Sequence, residues 1–152
     1  YRNYRAGNPS ASTACDVTAI TGGNAQIGFW NINCNGFQLP RTPKWSGTVG
    51  YTHTFDLANG AKIEFAPDMT FASSRWLSAE FVENARAPAY ALVNVSLTYR
   101  SPEDKYSVQL FVRNIGDKAV YTGTQQYPFI ANYNGQDIAP PRTWGARFRA
   151  RF

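Results

Sequence analysis

The sequence has no long apolar run. Nowhere in its 152 residues does an uninterrupted hydrophobic stretch approach the roughly 18–20 residues of a membrane-crossing helix, which excludes a helical membrane protein. Charge is also scarce. Asp, Glu, Lys and Arg make up 16% of the chain, against about 25% in ordinary soluble domains. There is one histidine, His53, and there are two cysteines, Cys15 and Cys34, with no C-x-x-C pair. That set furnishes no zinc-type ligand cluster, and no phosphate-cradling glycine loop occurs. No metal and no cofactor is therefore expected. An initiator Met and a secretory signal pattern are missing too, so the chain reads as a processed form or a piece of a longer one.

Signs of catalysis are equally thin. No Ser or Asp is placed with His53 as a triad would need. Glu80 with Glu83, and Glu103 with Asp104, are carboxylate pairs by proximity alone and read as solvated loop charges rather than a glycosidase pair. The protein is not expected to be an enzyme. The net charge of +5 is spread along the chain and clusters only at the C-terminus. That does not make a nucleic-acid footprint.

What the chain has is aromatic residues, at 15%, set in segments that alternate with period two. The C-terminal run "TWGARFRARF" resolves this way. Trp144, Ala146, Phe148, Ala150 and Phe152 fall on one side, and Gly145, Arg147, Arg149 and Arg151 on the other. Residues 45–55 set Trp45, Val49, Tyr51, His53 and Phe55 against small polar residues. Residues 62–71, 91–100 and 106–114 alternate likewise, with Leu92 and Phe111 as misfits. Five such segments predict antiparallel strands. Two connections are short, with Asn59-Gly60 suited to a primed turn and a polar "SPEDK" turn at 101–105. The others, at 6–44, 72–90 and 115–142, are long. Residues 1–5 suggest the tail of one more strand.

Short and long connections in strict alternation are what a membrane barrel has at its two rims. Residues 45–55 extend about 33 Å; tilted by about 40°, they cover about 25 Å, the height of an outer-membrane apolar band. Aromatics gather near strand ends, where interfacial girdles belong. A soluble sandwich, the competing architecture, would keep such aromatics at strand centres. On the barrel reading, Lys62, Glu64, Asp68, Arg100, Arg113, Arg147, Arg149 and Arg151 all face the lumen. A one-residue slip would turn the arginines into lipid at up to about 2–4 kcal/mol each. Five strands close no barrel, and an open edge in hydrocarbon is costly. More sequence is expected to complete the wall.

Cys15 and Cys34 lie in a stretch rich in Gly, Asn, Thr and Ser. With metal partners lacking, a disulfide in an oxidising compartment is the better reading. Two unpaired thiols in an exposed polar loop are the alternative.

"LPRTPKWSGTVGYTHTF" (39–55), "YALVNVSLTYRSPEDKYSVQLFVRNIGDKAVY" (90–121) and "PPRTWGARFRARF" (140–152) resemble the C-terminal end of TonB-dependent outer-membrane receptors. The segment 112–121 resembles that family's N-x-x-D-K-x-Y segment, with two residues rather than one between Lys118 and Tyr121, and the last stretch resembles its closing P-R-x-aromatic-G run. The resemblance implies an all-β, 22-stranded transmembrane barrel. Residues 1–152 would form the C-terminal portion of that barrel, strands 18–22 with the end of strand 17, and the N-terminal plug and earlier strands would be absent. It places the long loops outside the cell and Phe152 at the periplasmic rim. Gly145, Phe148, Ala150 and Phe152 then resemble the signal read by the barrel-assembly machinery.

The partners implied are the rest of the barrel and its plug, the TonB-ExbB-ExbD complex acting through the N-terminal region, and lipopolysaccharide. The function implied is uptake of a scarce bulky nutrient, most often a ferric siderophore. Loop aromatics Phe29, Trp30, Trp76, Tyr121, Tyr127, Phe129 and Tyr133 are candidates for ligand contact, because aromatics make strong anchors. They can equally pack loops together. A passive pore or adhesin-like barrel is the competing function, and a soluble β-sandwich lectin is a third.

Overall fold

A computed structural model describes residues 4–5, 13–19, 29–126 and 134–151, with residues 4, 5, 29, 126 and 134 described by their backbone. Among the described residues thirteen strands run in chain order: β1 Tyr4–Arg5, β2 Asp16–Ala19, β3 Phe29–Asn33, β4 Ser46–Gly50, β5 His53–Asp56, β6 Lys62–Ala72, β7 Arg75–Trp76, β8 Arg86–Ala87, β9 Tyr90–Arg100, β10 Tyr106–Arg113, β11 Tyr121–Gln126, β12 Asn134–Ile138 and β13 Thr143–Ala150. All described pairings are antiparallel. The chain divides into two units. One holds residues 1–44, 74–88 and 121–138, and the other residues 45–73, 89–120 and 139–152.

The second unit is one sheet in the order β13-β10-β9-β6-β4, with β5 also on β6. The five alternating segments of the sequence are its strands. β4 and β5 are one strand read twice. Ser46↔Ala72 and His53↔Phe65 lie on a single register, which is interrupted only around Tyr51. The cause is Pro67, which accepts the Tyr51 N–H at 3.0 Å but has no N–H to return.

Register places the apolar positions on one face, with Leu92 and Phe111 as the large exceptions. Phe65 meets Leu97, Leu97 meets Leu110, and Leu110 meets Ala146. The opposite face carries Lys62 beside Arg100, Asp68 beside Asn94, and Gln109 beside Arg147. The apolar face is bare: Trp144 is 82% exposed, Phe148 68% and Leu110 54%. In water each such residue would forgo about 1.5–3 kcal/mol of burial.

The short connections depart in detail from a simple tight turn. After β5, Gly60 N–H donates to Leu57 O at 2.9 Å and Leu57 N–H to Ala61 O at 2.8 Å. Of Asn59 and Gly60, only Gly60 takes positive φ, at 81°. This is the three-residue hairpin with a left-handed glycine, not the primed two-residue turn anticipated. Asn59 Oδ1 accepts the Ala61 N–H, which closes it. Residues 101–105 form a 3-10 turn from Pro102, closed by Ser101 N–H to Tyr106 O at 2.9 Å.

The first unit is made of the three long connections. Its elements are the sheet β1-β3-β2 and the hairpins β7-β8 and β11-β12. Tyr4–Arg5, anticipated as the tail of a barrel strand, pairs here with Trp30 and Phe29 instead. Cys15 and Cys34 form a disulfide. They extend the Asp16↔Asn33 pairing of β2 and β3 by one position, so the bond closes that end of the hairpin. Most of the buried apolar side chains in this unit come from the middle connection: Leu77, Phe81, Ala85 and Ala87.

Candidate functional site

The charged residues of the sheet share its polar face, and several are tied together. Arg100 reaches Glu64 at 3.5 Å and Asp104 at 3.9 Å, while Arg151 reaches Asp104 at 2.8 Å. Lys62 pairs with Asp56 at 3.4 Å. These pairs sit at the short-turn end and are partly exposed, worth about 0–1 kcal/mol each in water. Arg147 and Arg149 make no ion pair among the described residues. Arg113 lies with its guanidinium 5.5 Å from the Phe111 ring centre. Phe111, the misfit of its strand, covers Gly145 on the same face. Leu92 is also on this face, opposite Thr70.

At the long-connection end the polar face closes into a network centred on Asn114. Its N–H donates to Asn94 Oδ1 at 3.0 Å, and its side-chain amide donates to Lys118 O at 3.0 Å. Its Oδ1 accepts the Lys118 N–H at 2.8 Å. Asn94 in turn donates to Asp68 at 2.7 Å, and Asp117 accepts the Arg142 N–H at 2.8 Å. Asn114 is buried, with φ of 51°. Asn tolerates that left-handed conformation better than most residues. The N-x-x-D-K segment thus has a physical job, joining the end of β10 to β9 and to the chain entering β13.

In the loop unit the connections are held by hydrogen bonds and rings. Ala14 N–H donates to Glu80 O, and Arg41 N–H to Trp76 O. Gln136 donates to Asn84 O at 2.9 Å. Trp76 packs against Phe37 and Phe81 with ring centres 6.0 and 5.8 Å apart, and the Arg86 guanidinium lies over it at 5.5 Å. Trp30 is half-buried on β3 opposite Ala19. Tyr121 begins β11, and its carbonyl accepts from Arg75 at 3.1 Å.

Of the sequence candidates whose side chains are described, only Trp76 lies in this aromatic cluster. The side chain of Phe29, and all of Tyr127, Phe129, Tyr133 and Phe152, lie outside the described residues. Sequence reasoning passed over Phe37 and Phe81. Their signal was the presence of large apolar residues inside otherwise polar connections.

The paired carboxylates are separately engaged. Glu83 pairs with Arg86 at 3.3 Å, and Glu103 with Lys105 at 2.7 Å. His53 is on the apolar face, with Nδ1 3.1 Å from the Tyr51 hydroxyl. Among the described residues no three His, Cys, Asp or Glu side chains converge as metal ligands would.

An antiparallel sheet with one bare apolar face, one polar face and open edges is a piece of the wall of a membrane-spanning β-barrel. The chain belongs to the TonB-dependent receptors: the family described as "TonB dependent receptor-like, beta-barrel" matches residues 4–115. That is an outer-membrane transport family rather than an enzyme family, and it implies a plug and engagement of TonB. Comparison with curated proteins and with solved structures gave no match.

Proposed function

We propose that residues 1–152 form the C-terminal wall of a plugged transporter that imports a scarce, bulky nutrient, with a ferric siderophore as the cargo class. The polar face of the sheet, with Lys62, Glu64, Asp68, Arg100, Arg113, Arg147, Arg149 and Arg151, lines the interior against the plug. The long connections face outward, and the short turns and Phe152 lie at the periplasmic rim. Gly145, Phe148, Ala150 and Phe152 serve the barrel-assembly machinery, and basic loop residues meet lipopolysaccharide phosphates. Ligand contact falls to the loop aromatics, Trp30 and Tyr121 among them.

The observation that carries this reading is the bare apolar face on one side of the sheet, with the charged residues gathered on the other. β6 and β9 have 11 residues each, enough at about 40° tilt to cross an apolar band of about 25 Å. Uptake of labelled ferric siderophore by cells expressing the full-length gene, with and without a functional TonB system, tests it. Accumulation only in TonB-competent cells is the expected result. TonB-independent entry together with a steady open conductance in planar bilayers would establish the passive-pore alternative.

A further inference from the structure

We infer that the cleft beside the disulfide-closed hairpin is a binding site for an uncharged saccharide. The cleft has a volume of about 670 Å³, within the roughly 300–1,000 Å³ of small-ligand sites. It is lined by Asn31, Asn33 and Asn35 and by Phe37, Leu39 and Phe81, and among the described residues no lining side chain is ionisable. Asn31 and Asn33 are two residues apart on β3, so their side chains leave one face of the strand from backbone positions about 6.6 Å apart. The Asn33 Oδ1 accepts the Asn35 N–H at 3.1 Å, which leaves its NH₂ free to donate. The side-chain amides of Asn31 and Asn35 make no hydrogen bond among the described residues.

The chemistry of this lining is selective. A carboxamide both donates and accepts, as a sugar hydroxyl does, so one amide can serve a hydroxyl in either role. Phe37 is half-buried and rests on the buried Phe81 with ring centres 4.6 Å apart, so the exposed part of the Phe37 ring offers the C–H face of a pyranose an apolar surface. An anionic ligand would find no cation among the described lining residues to replace its lost hydration. Cys34 falls between Asn33 and Asn35, and its bond to Cys15 fixes the backbone that carries them, which lowers the ordering cost of binding.

The glycan could be a free oligosaccharide or a neutral sugar of the cell's own lipopolysaccharide. The site lies wholly within the loop unit, and the inference goes beyond the transport reading without depending on it.

The test uses the full-length protein in detergent micelles, applied to an array of neutral and acidic oligosaccharides. A second arm uses delipidated polysaccharide from the same cells. Retention of neutral glycans is expected, with affinity lowered about tenfold in the Asn31→Ala/Asn33→Ala double variant, the scale of two lost hydrogen bonds. Phe37→Leu should weaken binding as well. Unchanged heat-dependent gel migration and an intact Cys15–Cys34 bond check that the variants are folded. Retention in the free-oligosaccharide arm or the polysaccharide arm supports the site and names its source. No retention of any neutral glycan, retention of acidic glycans alone, or full affinity in the double variant overturns it. TonB-dependent uptake, measured separately, leaves each of these outcomes readable.

Discussion

Phe111 and Gly145 face each other across β10 and β13, and a Cβ on Gly145 would lie 2.8 Å from the Cζ of the Phe111 ring. The same relationship recurs on the other face, where a Cβ on Gly47 would lie 2.9 Å from the Cζ of Phe71. In both cases a large ring occupies the space that a missing side chain leaves on the neighbouring strand. The pairing couples the last strand to its neighbour by shape as well as by hydrogen bonds. Three predictions concern the sheet and one the loop unit.

Gly145→Ala should destabilise the folded wall by about 1–3 kcal/mol, the usual cost of overpacking. The midpoint of the heat-dependent migration shift of the full-length protein reports it. Phe111→Ala in the same background should restore part of the loss, because it removes the obstacle. If Gly145 mattered only as part of an assembly signal, the second change would rescue nothing.

Phe148→Arg should be far more harmful than Arg149→Ser. The first places a charge on the apolar face, at a cost that falls from about 2–4 kcal/mol at the bilayer midplane toward the rims. The second removes a charge that has no ion-pair partner among the described residues. Urea titration of the protein folded into vesicles separates the two. Equal midpoints would contradict the assignment of faces.

Asn114→Ala should cost about 2–4 kcal/mol, since it strands several buried hydrogen-bond partners and leaves an alanine at positive φ. Asn114→Gly accommodates the backbone but not the bonds, so its loss should be smaller. Limited proteolysis of the 115–142 connection gives the readout. Cutting should be fastest in the alanine variant.

Replacing Cys15 and Cys34 with serine should destabilise the loop hairpin by about 3 kcal/mol through loop entropy. Protease sensitivity between residues 13 and 44 should rise. The heat-dependent shift of the barrel should stay put, because the bond lies in a unit distinct from the sheet.

The two faces of the sheet could be read from local sequence. Trp144, Phe148, Leu110 and Leu97 are assigned by period-two alternation, which needs no knowledge of any partner strand. The arginines at 147, 149 and 151 follow by the same rule. Proline and glycine chemistry was only half legible. Pro67 reads from the sequence only as one more position in an alternating strand, and its effect appears across the sheet, as the interruption between β4 and β5 at Tyr51. Asn59-Gly60 announced a turn, but whether one residue or two took positive φ depended on how the flanking strands paired.

What the sequence alone determined is a set of amphipathic strands joined by alternating short and long connections, which requires an apolar medium on one side. Strand periodicity is a local property, written within ten residues. Only the tertiary structure decided that Asn114 joins β10 to Asn94 and Lys118. Only there do Trp76, Phe37 and Phe81 meet, and only there does Phe111 find Gly145. Those contacts join residues far apart along the chain, and the free energy that selects them comes from packing and hydrogen bonding between segments whose own patterns do not name their partners.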